Sequence, residues 1–333
     1  MSGNTIRKGI RRGKEKYYCK DCQRWWQINR VQEKLSSQQL AADHLNGLSF
    51  RKLAAKYEIS VGNAHLRVIA YFKTLPHCAD ITRDYCSRFC NIFLIDGKYV
   101  RVQPYERKIP VIYLIDYQAH DVVTFKLAKS ESLLAAQSVY TSANYAGVGI
   151  QMVVGDDNPN FSESLKFVYP NAQYQLCHNH FKQNLRQQLG LFRDLTHYQF
   201  MKEIETLLGV KQSQGEFSQR AHKLITKYKA IPLYMNVLLN IAQRQDQLLA
   251  YHHLKGTPIT TNLIEAFNSH LQARLSSIGS FQDFTHAKLW LNAYFLKRRQ
   301  TKFTDCSRKF RRLNGKTSLS QTQKPLLDIP RFF

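Results

Sequence analysis

Three short strings in the 333-residue chain place a carboxylate where chemistry could use it. They are Leu94-Ile95-Asp96-Gly97, Val153-Val154-Gly155-Asp156-Asp157 and Thr261-Asn262-Leu263-Ile264-Glu265-Ala266-Phe267-Asn268. Asp96 and Asp156 each end an apolar run that reads as a buried strand, and Glu265 falls in the first turn of a helix. Carboxylate oxygens are hard ligands for Mg²⁺ or Mn²⁺. Two such ions about 4 Å apart can activate an attacking oxygen and stabilise a leaving one in a displacement at phosphorus. Asp157 is an alternative second ligand, but Asp156 is the first residue after the apolar run. Taken singly, each string has a plainer reading. Asp96-Gly97 could be a turn, Asp156 to Pro159 a strand-to-helix loop, and Glu265 the third residue of a capping box begun by Asn262.

Composition says what such a site would act on. There are 48 Lys and Arg against 24 Asp and Glu, a formal charge of +24 and a pI near 9.8. Charge of this size concentrates polyanions and supplies phosphate contacts, which makes double-stranded DNA the expected partner. A membrane is the competing partner. The apolar residues, however, lie in short runs broken by charges, with no span near ~20 residues, and the start of the chain lacks the apolar core of a secretory signal. The expected location is cytoplasmic, on DNA. Seven cysteines without an export signal read as reduced thiols or metal ligands rather than a disulfide framework.

The elements that would position these groups can be read in order. Residues 1–34 are basic and contain Cys19-Lys20-Asp21-Cys22 followed by Trp25-Trp26. This is half of a zinc ribbon, and Zn²⁺ on Cys19 and Cys22 would need further ligands from Cys78, Cys86 or Cys90. Residues 35–77 show helical apolar spacing over 35–45, 50–57 and 61–74, the last with Val61, Ala64, Val68, Ile69 and Phe72 inward, and Asn46-Gly47 punctuates between the first two. The spacing is that of a helix-turn-helix, with Asn63, His65 and Arg67 turned to bases and Arg51 and Lys52 to phosphates. A plain helical hairpin is the alternative.

Strands are expected over 92–102, 109–117 and 122–127, with connections short enough for an antiparallel meander. A helix over 130–146, a strand ending at Asp156, a helix over 161–167 and a strand over 172–177 follow. This is the element order of a ribonuclease H-like α/β fold, in which Asp96 and Asp156 would lie side by side at the sheet centre. The catalytic unit would comprise 90–180 and 255–300, interrupted by an all-helical insertion over 181–254. Lys297, Arg298 and Arg299 open a basic tail over 301–333 that could track a DNA strand, with a flexible polar linker from Ser318 to Pro325.

The ordered set Asp96-Gly97, Val154-Gly155-Asp156, Phe167-Val168-Tyr169-Pro170-Asn171-Ala172, Cys177-His178-Asn179-His180 and Thr261 to Asn268 resembles the Mutator-like superfamily of DDE transposases, including the bacterial insertion-sequence enzymes. The resemblance covers roughly residues 91 to 300. It implies that Asp96, Asp156 and Glu265 form a metal-binding catalytic triad, and that Cys177 and His180 are the family's Cys-x-x-His pair. It also implies a homo-oligomer that cuts the ends of a mobile element and joins them to target DNA. Two rival functions fit the same composition, a non-catalytic DNA-binding regulator derived from a transposase and a metal-dependent nuclease without strand transfer. Retention of all three carboxylates argues against the first, and product analysis would separate the second.

Overall fold

The computed structural model describes residues 4–11, 14–28 and 35–333. It opens with a three-stranded antiparallel sheet, β1 (Thr5–Arg11), β2 (Lys14–Cys19) and β3 (Trp25–Ile28). Facing residues across β2 and β3 pair their rings, Tyr17 with Trp26 at 6.3 Å and Tyr18 with Trp25 at 4.9 Å. Such cross-strand aromatic pairs stabilise a sheet that has little else to bury. No strands had been expected here. Cys19 closes β2, Cys22 lies exposed in the following turn, and among the described residues no group of three metal-ligating side chains includes either.

Helices α1 (Ser37–Leu45), α2 (Phe50–Tyr57), α3 (Val61–Thr74) and α4 (Cys78–Tyr85) come next. Ser49 caps α2 by accepting from Lys52 N, and Ser60 caps α3 by accepting from Asn63 N. Each satisfies one of the amides a helix start leaves without a partner. Leu40, Leu53, Ala64, Val68 and Phe72 are buried between the helices, whereas Val61, expected inward, is 46% exposed because it begins α3.

The central sheet is built from β4 (Ile92–Val100), β5 (Ile109–Asp116) and β6 (Val122–Leu127), then α5 (Leu133–Tyr145), β7 (Met152–Gly155), α6 (Pro159–Val168) and β8 (Gln173–Leu176). Its order is β6-β5-β4-β7-β8, with β4, β5 and β6 antiparallel and β7 and β8 parallel to β4. All eight residues of β5 are buried, as a sheet covered on both faces requires. Phe93, Ile95, Ile112 and Leu114 pack with α5 and α6, and the alternate residues Ile92, Leu94, Val111 and Tyr113 pack on the opposite face.

A helical stretch follows: α7 (His178–Gln188), α8 (Tyr198–Leu208), α9 (Gln214–Tyr228), α10 (Pro232–Gln243) and α11 (Gln245–Leu248). These helices share a core of their own that includes Phe181, Phe200, Ile204 and Val237. The chain then returns as α12 (Asn262–Ile278) and α13 (Phe284–Gln300), both packed on the sheet and on α1–α3, and ends with the short α14 (Ser318–Thr322).

Ser318–Thr322 is therefore not the flexible linker its polarity suggested. Ser318 and Thr322 point their hydroxyls at the buried Asp121, at 2.9 and 2.7 Å, and Leu319 joins the core. Among the described residues no helix is long and apolar enough to cross a membrane.

Candidate active site

Asp96 lies on β4 and Asp156 immediately follows β7, and the parallel register pairs Leu94 with Val154, two residues before each aspartate. The two carboxylates therefore leave neighbouring strands side by side. Gly155 leaves room for the Tyr174 hydroxyl, from which a Cβ there would stand 2.2 Å, and that hydroxyl donates to Asp156 O at 2.8 Å. Asp157 points elsewhere and forms an ion pair with Arg244 beyond α10.

Burial and the neighbouring Asp156 push the Asp96 carboxyl up to about 7, and burial raises Asp156 as well. Both shifts follow from crowding like charges out of water. Asp96 is held in orientation by Gly97 N at 2.8 Å and by Asn268 Nδ2 at 2.6 Å, and Asn268 in turn accepts from the buried Tyr113 hydroxyl at 2.5 Å.

Glu265 reaches the same cleft from the first turn of α12. The capping box considered for it does not form. The helix begins at Asn262 with Thr261 as its cap, and the Thr261 hydroxyl donates to Glu265 Oε1 at 2.9 Å. That same hydroxyl lies 3.1 Å from Cys177 Sγ and 3.3 Å from His180 Nδ1. His180 Nε2 is 3.7 Å from Glu265. The hydrogen bond with Cys177 raises His180 to about 9. Burial raises the Cys177 thiol, but hydrogen bonds from His180 and Thr261 outweigh it and the net shift is downward.

Cys177, His180 and Glu265 have donor atoms within 4.8 Å of one another, and among the described residues no other set of three ligating side chains is so close. Asp96 and Glu265 line one cleft, Asp156 lies beside Asp96 at the end of the neighbouring strand, and the three do not close into such a set. The cleft, about 650 Å³, is walled by Asp96, Lys98, Lys108, His180, Glu265 and Asn268.

A fourth carboxylate was not foreseen. Glu131, just before α5, accepts from Asn158 Nδ2 at 3.2 Å, and a Cβ on Gly97 would lie 1.9 Å from its Oε1. Burial and then Asp156 raise its pKa. The string Ser130-Glu131-Ser132 reads as an ordinary polar helix entry, and only the sheet brings it to Asp96 and Asp156.

The DNA-contact candidates divide. Arg51, Lys52 and Asn63 are exposed. His65 instead packs edge-on against Phe50 at 5.0 Å, and Arg67 donates to Leu35 O and to Ser37 Oγ, so neither is presented to a duplex. Both flank the buried Ala64, Val68 and Phe72 stripe, which the 3.6-residue period could have shown. Lys297 and Arg298 line a surface cleft, but Arg299 does not. It is fully buried and pairs through two nitrogens with Asp121, at 2.9 and 2.8 Å. Its position on α13 faces the core, and a buried guanidinium needs that carboxylate. Cys78 and Cys86 lie against the same guanidinium and so are not available to Cys19 and Cys22.

No curated protein matches the chain. The model of the family described as "Transposase, Mutator family" matches residues 83–301, a span that contains Asp96, Asp156 and Glu265. The chain belongs to the Mutator family of transposases.

Proposed function

We propose that this protein binds the ends of a mobile DNA element and catalyses metal-dependent cleavage and strand transfer with Asp96, Asp156 and Glu265 as its triad. The observation that carries the reading is that the adjacent parallel strands β4 and β7 bring Asp96 and Asp156 side by side, with Asp96 lining a cleft that Glu265 enters from α12. Three antiparallel strands, a helix and two parallel strands support a ribonuclease H-like catalytic core over 90–180 and 255–300 with a helical insertion over 181–254. The capped pair α2–α3, with Arg51, Lys52 and Asn63 exposed, supports a helix-turn-helix over 35–77 that would bind double-stranded DNA. A homo-oligomer holding two ends together is the corresponding assembly.

The donor set fits hard divalent cations. Burial raises both Asp96 and Asp156, and the neighbouring charge of Asp156 raises Asp96 further, the electrostatic condition a cation relieves. Mg²⁺ or Mn²⁺ held by Asp96, Asp156 and Glu265 would activate the attacking oxygen and stabilise the leaving one. The chain's own groups do the rest. Asn268 and Tyr113 fix the Asp96 carboxylate, Thr261 fixes Glu265, and Lys98 and Lys108 place positive charge on the cleft wall for the phosphodiester. The raised pKa of His180 favours the protonated imidazole, which would offer a donor to a phosphate oxygen beside Glu265.

The test incubates purified protein with labelled DNA carrying the element's ends, in Mg²⁺, Mn²⁺ or EDTA, beside Asp96→Asn and Asp156→Asn. The expected result is metal-dependent cleavage and joining, lost in both variants while DNA binding persists. Strand transfer retained by either variant would sink the assignment. Cleavage without joining would leave a nuclease.

A further inference from the structure

α12 has two functional sides. Glu265, Asn268, Ser269 and Gln272 face the carboxylate cleft, and His270, Ala273 and Arg274, turned by the helical period to the far side, face a second cleft of about 300 Å³. That cleft is also walled by Lys297 and Arg298 of α13, by Lys302 beyond it and by Asn46 at the end of α1. Its one acidic neighbour in the lining is Asp305, and among the described residues no ion pair involves Arg274, Lys297, Arg298 or Lys302.

We propose that Arg274, Lys297, Arg298 and Lys302 form a preorganised site for a backbone phosphate of DNA, on the side of α12 opposite the carboxylates. This inference rests on the DNA-processing function proposed above and locates a part of the substrate that the triad does not touch.

Two of the cations are fixed in place before any ligand arrives. Arg274 Nη1 donates to Asn46 O at 2.9 Å, and Lys297 Nζ donates to Asn46 Oδ1 at 2.7 Å. These bonds could serve only to cap the carbonyl end of α1, a place where cations are favourable. Each uses a single donor, however, whereas a guanidinium carries five and an ammonium three. Arg298 is steadied over the rings of Phe267 and Phe303, at 5.7 and 4.9 Å. Burial and the charges of Arg274 and Arg298 together lower the pKa of Lys297. The fold thus holds like charges together without a paired carboxylate, a strain an incoming phosphate relieves, and an arginine fork matches phosphate geometry. Arg274 lies nine residues along α12 from Glu265, about 14 Å at the helical rise. At the ~3.4 Å rise of a DNA strand that is about four nucleotides from the reacting phosphodiester.

The experiment measures binding of the full chain to a labelled duplex by fluorescence anisotropy over a series of salt concentrations. It compares wild type, Arg274→Gln/Lys297→Gln, and the control Lys223→Gln/Lys229→Gln, which removes two exposed charges from α9 and the turn after it. Loss of one or two phosphate contacts should flatten the slope of log affinity against log salt by about 1 to 2, equally for any DNA sequence. The control should keep the wild-type slope. If Arg274→Gln/Lys297→Gln fails to fold, Lys302→Gln, at an exposed position, carries the same comparison with an expected change of about 1. A cleft variant with the slope of the control would overturn the proposal and leave the function standing. A wild-type protein that binds no DNA would overturn both.

Discussion

Arg298 and Arg299 are neighbours in sequence with opposite environments, so replacing each in turn tests the structure directly. Arg299 makes two bonds to Asp121, donates to Cys78 O and Thr82 Oγ1 at 3.0 Å each, and is wholly buried, as is Asp121. In Arg299→Ala, Asp121 keeps only the hydroxyls of Ser318 and Thr322. An uncompensated buried charge of this kind costs about 3–5 kcal/mol. At roughly 1.4 °C per kcal/mol for a chain of this length, the expected drop in Tm is about 4–7 °C by differential scanning calorimetry. Arg298→Gln loses two cation–π contacts, about 0.5–1 kcal/mol each, and should lower Tm by only a few degrees. DNA affinity should respond in the reverse order, falling for Arg298→Gln and staying unchanged for whatever fraction of Arg299→Ala remains folded. The double replacement Arg299→Met/Asp121→Leu should recover much of the lost stability, because it removes both charges together. A Tm within about 2 °C of wild type for Arg299→Ala, together with weakened DNA binding, would refute the buried-pair reasoning.

Three further outcomes follow from the site. Asp96 sits at about 7 in the fold against an ordinary 3.8, so the metal-free fold resists its ionisation, a penalty absent below pH 4 that grows until pH exceeds 7. Asp96→Asn should therefore be more stable than wild type at pH 8 in EDTA, by up to about 4 kcal/mol, and equal to it near pH 4; a gap independent of pH in urea titrations would contradict this. Gly97→Ala places a Cβ against the flexible end of Glu131, so the fold should survive while Mn²⁺ affinity falls, about tenfold and in step with Glu131→Gln. Calorimetric titration showing wild-type affinity in both would remove Glu131 from the site. Thr261→Val deletes the hydroxyl shared by Cys177, His180 and Glu265 and should slow cleavage about tenfold to a hundredfold without altering DNA affinity. Equal loss of cleavage and binding would make Thr261 structural instead.

The sequence by itself determined a good deal. Continuous apolar runs and the short connections between them located β4, β5 and β6 to within two residues, and helical apolar spacing located α2 and α3. These are local properties, set by apolar run length and helical periodicity, and they need no knowledge of what packs where. The ordered strings around Asp96, Asp156 and Glu265 likewise led to the family that the match over 83–301 supports.

What only the tertiary structure decided is which way each side chain faces and what lies beside it. Arg299 in a run of three basic residues reads as surface charge until α13 packs against β6 and α4 and Asp121 meets it. His65 and Arg67 read as recognition residues until α1, α2 and α13 cover that side of α3. Glu131 is an unremarked helix entry until β4 carries Gly97 to its carboxylate. In each case the partner lies far away in the chain, and a charge's role is set by the dielectric and the counter-charge around it, which sequence spacing does not encode.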